Sequence, residues 1–310
     1  MAPTLSLIIP AYNEATRIET GYTRLAPALE RVGRDDVEVI IVDDGSSDDT
    51  GRIAAKVYGQ LPHSLVVRRE VNEGKGAAFR LGVAVARSHN VIVCDADMAI
   101  DPVHVPDVLE ALGRDPLAFG SRAIDGKIHY TSWVRTSTGA VFNAIVRRET
   151  GTSVRDTQCG FKGFTLGAAR ALACFGWVDG FAYDVELLFL ASQLGMTVGS
   201  VGVTWDDVSG SSVRLVSDSR KMLRDIRQIR RYPYEAIVVR VNGSVDSATV
   251  RTAALSSRLQ GAVIAHGDSD AIIVLPHDGA LSGVAIAEAT GGTMGVATPF
   301  DVADRRFEAV

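Results

Sequence analysis

The chain has 310 residues, 46% hydrophobic and 22% charged, the balance of a sequence that folds around a core and unlike that of a disordered or collagen-like one. Lys plus Arg total 32 against 37 Asp plus Glu, a net −5. No overall cationic field is therefore available for non-specific attraction to nucleic acid, and no nucleic-acid partner is expected.

The N-terminus runs directly into an apolar strand pattern, without the charged segment and long apolar core of an export signal. The uncharged region near 187–205 changes period midway and reads as helix then strand, not as a membrane span. Cys94, Cys159 and Cys174 are odd in number and lack a Cys-x-x-Cys spacing. That speaks against a disulfide framework or a structural zinc site and fits a reducing cytoplasm.

Strands are predicted at 5–9, 37–42, 64–69 and 91–94, with helices at about 15–32, 48–59 and 75–88 between them. This is the alternation of βαβ units around a largely parallel sheet. Ser46, Ser47 and Asp48 are suited to cap the second helix. A mixed α/β stretch follows over about 117–233, with a strand at 117–120 and helices near 134–149 and 183–194. Residues 214–231 predict an amphipathic helix, with Met222, Leu223, Ile226 and Ile229 on one side and seven basic residues against two acidic ones. That basic face suits either an anionic membrane surface or plain solvent. Beyond Tyr232-Pro233 the composition shifts: residues 234–310 hold 5 basic against 9 acidic residues, leaving 27 against 28 before them. Two domains, 1–233 and 234–310, are expected. The second follows a βαββαβ order over 236–297, that of a small ferredoxin-like α+β unit.

Ligands of open α/β sheets gather at the carboxyl ends of the strands, and three polar clusters fall there: Pro10-Ala-Tyr-Asn-Glu14, Asp43-Asp-Gly-Ser-Ser47 and Asp95-Ala-Asp97. The paired carboxylates of Asp95 and Asp97 suit Mg²⁺ or Mn²⁺, with a nucleotide diphosphate completing the coordination. A solvated capping loop is the competing reading of that triplet. Asp43 and Asp44 can accept hydrogen bonds from a base or ribose, or merely cap a helix. Asn72-Glu-Gly-Lys-Gly76 precedes a helix, but Phe79 stands where a dinucleotide fingerprint needs its third glycine, so a nicotinamide site is excluded. Lys75 remains a cation for phosphate. The six histidines show no zinc-hydrolase spacing.

In order, Ile8-Ile-Pro-Ala-Tyr-Asn-Glu14, Val42-Asp-Asp-Gly-Ser-Ser47, Asn72-Glu-Gly-Lys-Gly76 and Asp95-Ala-Asp97 resemble the nucleotide-sugar half of family 2 glycosyltransferases. Further on, Gly120-Ser-Arg122, Asp156-Thr-Gln-Cys-Gly-Phe-Lys162, Phe181-Ala-Tyr-Asp-Val-Glu-Leu187 and Trp205 to Ser212 resemble the dolichyl-phosphate glucosyltransferase branch, so the likeness spans about 4–231. It implies a GT-A fold, a nucleotide-diphosphate sugar donor (UDP-glucose first), a divalent cation, and inversion at the anomeric carbon. It also implies roles. Pro10, Tyr12, Glu14, Asp43 and Asp44 would hold base and ribose, with Lys75 nearby. Asp95 and Asp97 would hold ribose and metal, Asp97 first. Arg122 would meet a phosphate, and Lys162 and Ser211 would lie toward the acceptor.

A polyprenyl phosphate acceptor is already anionic and needs no base. A hydroxyl acceptor would need one, with Asp184 or Glu186 as candidates. A soluble hydroxyl acceptor, and a non-catalytic nucleotide-sugar sensor, stand as the alternatives. The sequence departs from the eukaryotic branch in lacking an N-terminal membrane helix and in carrying the extra tail. It is expected to be cytoplasmic, with 214–231 as its point of peripheral membrane contact.

Overall fold

A computed structural model describes residues 3–122, 143, 146–148, 150, 154, 156–206, 222, 224–256, 262–275, 286–303 and 305–309. Two β-sheets organise them. The first has seven strands: β1 (Leu5–Ala11), β2 (Val37–Asp43), β3 (Ser64–Arg68), β4 (Asn90–Val93), β5 (Leu117–Ser121), β6 (Lys162–Thr165) and β7 (Val198–Gly202). Their order is β3-β2-β1-β4-β6-β5-β7. Every neighbouring pair is parallel except those made by β6, which runs antiparallel to β4 and to β5. Helices α1 (Ile18–Val32), α2 (Thr50–Tyr58), α3 (Lys75–Val85), α4 (Val105–Leu112), α5 (Leu166–Phe175) and α6 (Tyr183–Gln193) cover its two faces. The expected α/β fold with a mostly parallel sheet is the one present.

The central strands are apolar almost without interruption because a sheet covered on both faces has no solvent side. Alternate residues still divide between two cores. Leu7, Ile9, Val39 and Ile41 meet Leu25 and Leu29 of α1, Ala54 of α2 and Val108 of α4. Ile8, Ile40 and Val42 meet Phe79 of α3, Leu172 of α5 and Leu188 of α6. Helix α1 starts at Ile18 and not at 15, since Arg17 donates its amide to the Glu14 carbonyl in a turn where Asn13 has φ 54°. Of the expected caps of α2, Asp48 alone accepts the Thr50 amide. Ser46 and Ser47 are drawn across to Asn13 instead, Ser46 Oγ accepting its amide at 3.0 Å and the Ser47 amide donating to its Oδ1 at 2.9 Å.

The second sheet comprises β8 (Ala236–Asn242), β9 (Val263–His266), β10 (Asp270–Leu275), β11 (Thr293–Ala297) and β12 (Arg306–Ala309), in the order β11-β8-β10-β9-β12 and antiparallel throughout. The first four adopt the ferredoxin-like order, and β12 adds an edge strand that the sequence pattern did not reveal. Helices α7 (Ser247–Ser256) and α8 (Pro299–Val302) belong to this part. One face, with Val239, Val241, Ile264 and Ile273, packs on Val250 and Ala253 of α7. The other, with Val238, Val263, Ile272 and Val274, joins the core that contains α5 and α6. The face that a free-standing unit would leave open to water is thus buried on the first sheet's helices.

Residues 222 and 224–229 are helical, with Ile226 and Ile229 buried and Arg224, Arg227, Arg230 and Arg231 exposed, as the periodicity predicts. Residues 214–221 and 223, Ser211 and most of the helix expected at 134–149 lie outside the described residues. No helix among those described is long and apolar enough to cross a membrane.

Candidate active site

The loops after β1, β2 and β4 and the loop before α3 meet in a cleft of about 710 Å³. It brings together Pro10, Tyr12, Glu14, Asp44, Lys75, Asp95 and Asp97 of the residues singled out in the sequence. Asp44 is the stitch between two of these loops. Its carboxylate accepts the Gly74 amide at 2.7 Å, the Glu73 amide at 3.2 Å and the Asn72 side-chain amide at 3.0 Å, with Arg69 Nε at 3.4 Å. Burial raises its pKa against these donors.

Each carboxylate of the Asp95-Ala-Asp97 turn faces a cation. Lys75 Nζ is in contact with Asp95 Oδ1. Burial acts to lower the Lys75 pKa, but Asp95 and then Asp184 outweigh it and hold the ammonium above its usual range. Burial likewise works to raise Asp95, but Lys75, then Lys162 and Arg122, keep its carboxyl below the ordinary value. Asp97 goes the other way: burial and the Asp95 charge raise it, with Arg17 only 3.8 Å away as partial relief. Met98, the residue after the pair, has φ 47°. Gly160 closes the site from behind, since a Cβ there would stand 1.9 Å from Asp95 Oδ2.

Arg17 also bonds Glu14 Oε1 at 2.6 Å, bridging the first and third clusters. Burial pushes the Glu14 carboxyl up to about 7 despite that partner, and its Oε2 is buried without a hydrogen bond. Arg17 escaped the motif reading, although its place one helical turn after Glu14 is the spacing that pairs side chains. Asn72, Gly180, Phe181, Met222 and Asp225 also line the cleft. Tyr12 and Phe181 are exposed aromatics there.

Five of the expected site residues do not line this cleft. Asp43 is 1% exposed and turned under its own loop, accepting the Ser46 amide at 3.0 Å. Arg122 ends β5 with its guanidinium held by Asp156, Nε to Oδ2 at 2.7 Å and NH2 to Oδ1 at 2.9 Å. Strand β6 carries Lys162 into the core at 0% exposure, 2.9 Å from Asp184 Oδ1 and 5.6 Å from the ring centroids of Phe119 and Tyr183. Asp184 is therefore committed to an internal ion pair. Glu186 is pinned below the cleft wall, accepting the Trp177 and Val178 amides at 3.0 Å each and the Tyr234 hydroxyl at 3.2 Å. Sequence spacing does not report the Lys162–Asp184 pair, because β6 takes its place between β4 and β5 from far along the chain.

Burial pushes Glu186 up to about 7 against those donors, from an ordinary 4.5. Between these values the folded protein binds more protons than the unfolded chain, so the contribution is full at the acid end and lost as pH rises through the folded pKa. Glu186→Gln is expected to flatten part of the fall in Tm between about pH 5 and 8. Calorimetry of both proteins across that range checks it, and an unchanged slope would remove Glu186 as a source.

Among the described residues no three His, Cys, Asp or Glu side chains converge as a metal cage. The two carboxylates of Asp95 and Asp97 fit a hard divalent cation, however. They are close enough that Asp95 raises the Asp97 pKa, a repulsion that such an ion relieves, and diphosphate oxygens are its usual further ligands.

The cleft lies at the carboxyl edge of a mostly parallel sheet, where open α/β folds bind their ligands. The sequence profile of Glycosyl transferase family 2 matches residues 6–172, and the chain belongs to that family: it is a glycosyltransferase of GT-A fold. It is 32% identical over 240 residues to a dolichyl-phosphate beta-glucosyltransferase of Dictyostelium discoideum, covering 73% of each chain. Over 241 residues it is 35% identical to the Drosophila melanogaster protein of that name, covering 73% of this chain and 74% of the relative. Among solved structures it resembles glucosyl-3-phosphoglycerate synthase from Mycobacterium tuberculosis in complex with uridine diphosphate, with TM-score 0.58 and 24% identity over 74% of this chain and 81% of that one. A complex of the same synthase with Mn²⁺, uridine diphosphate and glucosyl-3-phosphoglycerate gives 0.57 at 22% identity, with the same coverage. These two show the fold.

Proposed function

We propose that the enzyme transfers glucose from UDP-glucose to a polyprenyl phosphate, inverting the anomeric carbon. The observation that carries this reading is the convergence of Tyr12, Glu14, Arg17, Lys75, Asp95 and Asp97 in one cleft, in a chain whose relatives bear the name dolichyl-phosphate beta-glucosyltransferase. Tyr12 presents a ring for the base to stack on, and Glu14 an acceptor for base or ribose. Asp44 orders the loop that carries Lys75. Asp97, with one oxygen of Asp95, would hold Mg²⁺ or Mn²⁺, which when bound neutralises charge on the leaving diphosphate. Lys75 and Arg17 add fixed positive charge on the same side.

An acceptor phosphate oxygen attacks the anomeric carbon as the bond to the UDP oxygen breaks. The nucleophile is already anionic, so positioning and charge neutralisation suffice. A hydroxyl acceptor would need a base, and Asp184 and Glu186 are both engaged inside the protein. Met222 and Asp225 line the cleft, and beside them stand the exposed Arg224 and Arg227 of the helical residues 224–229 and the exposed Arg230 and Arg231 of the turn that follows. Each basic residue near an anionic bilayer adds roughly 1 kcal/mol of attraction, so this face would bring the cleft mouth to a lipid acceptor. The described cleft residues all precede 234, so we propose 1–233 as the transferase domain and 234–310 as a small α+β domain packed on it.

The test is transfer of label from UDP-glucose, with Mn²⁺ or Mg²⁺ and a short polyprenyl phosphate, into an organic-extractable product, with GDP-mannose in parallel. Labelled lipid from UDP-glucose is expected. Label that stays aqueous while UDP is released would move the acceptor to a soluble hydroxyl. Tight nucleotide binding without turnover would make the protein a sensor.

A further inference from the structure

A short route leads from the residues just before the C-terminal sheet to the cleft. Tyr234, 5% exposed and two residues before β8, donates its hydroxyl to Glu186 Oε1 at 3.2 Å. The same carboxylate receives the amides of Trp177 and Val178. The Trp177 ring stacks on Tyr232 with centroids 4.7 Å apart and planes at 25°, and Tyr232 meets Tyr234 edge-on at 5.2 Å. Phe189 of α6 packs on Tyr234 from the other side at 5.6 Å.

Beyond Val178 the chain becomes a wall of the cleft, which Gly180 and Phe181 line. This wall is also what satisfies the start of α3, whose first amides have no partner within the helix. The Asp179 carbonyl accepts the Gly76 amide at 2.7 Å and the Ala77 amide at 3.3 Å, and the Val178 carbonyl accepts Arg80 NH1 at 3.1 Å. The two backbones are in direct contact. A Cβ on Gly76 would stand 2.1 Å from the Val178 carbonyl oxygen, and one on Gly74, which has φ 116°, 2.4 Å from that of Asp179. A displacement of 177–181 therefore displaces the first turn of α3, which begins with Lys75, the partner of Asp95.

We propose that Tyr234, acting through Glu186, is a positioning residue that braces the 177–181 wall and the Lys75 end of α3 and so tunes nucleotide affinity in the cleft. The brace is polar and directional. Tyr234→Phe removes one hydroxyl and keeps the ring packing, and Glu186→Gln keeps the shape but turns one acceptor into a donor facing a backbone N–H. A buried hydrogen bond to a carboxylate is at the strong end of its class, and its loss is expected to weaken nucleotide binding about three- to tenfold.

The experiment uses the full chain and two readouts. Hydrogen exchange in Tyr234→Phe is expected to speed up at the Gly76 and Ala77 amides as well as at 177–178. UDP affinity by calorimetry is expected to fall by the stated factor, with kcat within about twofold of wild type. Glu186→Gln should do the same if its folding is intact. Ile273→Ala, in the core between the C-terminal sheet and α7, is the control: it lowers Tm but should leave UDP affinity unchanged. Faster exchange confined to 177–178, or an equal loss of affinity in the control, would overturn the brace. The affinity readout rests on the cleft being the donor site, whereas the exchange readout does not. Wild-type protein that fails to bind UDP would therefore count against the proposed donor while the exchange pattern still decides the brace.

Discussion

Asp97→Asn is expected to reduce glucosyl transfer by about 10²- to 10³-fold, the usual effect of removing one charge-stabilising group from an active site, while leaving Tm at or slightly above the wild-type value. The two outcomes have one cause. In the folded protein Asp97 is disfavoured by burial and by Asp95 beside it, and its nearest guanidinium, on Arg17, is 3.8 Å away. Asparagine keeps the shape and the Oδ1 acceptor that takes the Ala99 amide at 3.1 Å, and it removes the repulsion. Arg17 retains Glu14 at 2.6 Å, so the loop after β1 stays in place. Proposed as the first metal ligand, Asp97 should matter to UDP binding only when Mn²⁺ is present. Calorimetric titration with and without the ion measures that increment, and an increment that survives in Asp97→Asn would move the ligand role elsewhere.

Lys162→Met is expected to cost about 3–5 kcal/mol of stability, the penalty for stranding one member of a buried ion pair. Lys162 is fully buried, its ammonium 2.9 Å from Asp184 and in contact with the Cys159 carbonyl, between the rings of Phe119 and Tyr183. Methionine fills similar volume but leaves Asp184, 6% exposed, without its cation. The double variant Lys162→Met with Asp184→Asn should recover most of the loss, because neither member of the pair is then left charged without the other. Urea unfolding of the three proteins tests this. A residue that merely faced an acceptor would give wild-type stability and a raised acceptor KM, and that result would restore the acceptor-side role.

The parallel order of β1, β2 and β4, the helices between them and the cluster at their carboxyl ends were legible in the sequence, because hydrophobic period and strand-end chemistry are local properties. Tyr12, Glu14, Asp44, Asp95 and Asp97 lie in the strand-end clusters found that way, and the resemblance to family 2 glycosyltransferases supplied their expected roles and that of Lys75. The ferredoxin-like order of β8 to β11 was legible for the same reason. What stayed hidden depends on partners distant in the chain. Strand β6 lies antiparallel between β4 and β5, and this placement carries Lys162 to Asp184 in the core. Arg122 meets Asp156 across thirty-four positions, and Glu186 meets Tyr234 across forty-eight.

A motif states which residue types are present, and for the loops after β1, β2 and β4 the strands themselves deliver those residues to the same edge. The sequence by itself thus determined the family, the parallel strands β1 to β4 and the polar residues gathered at their carboxyl ends. Whether a carboxylate further along the chain is a base, half of an internal ion pair or a backbone anchor was decided only by the tertiary structure. Burial and the nearest charge set what an ionisable group can do, and both are properties of the packed molecule.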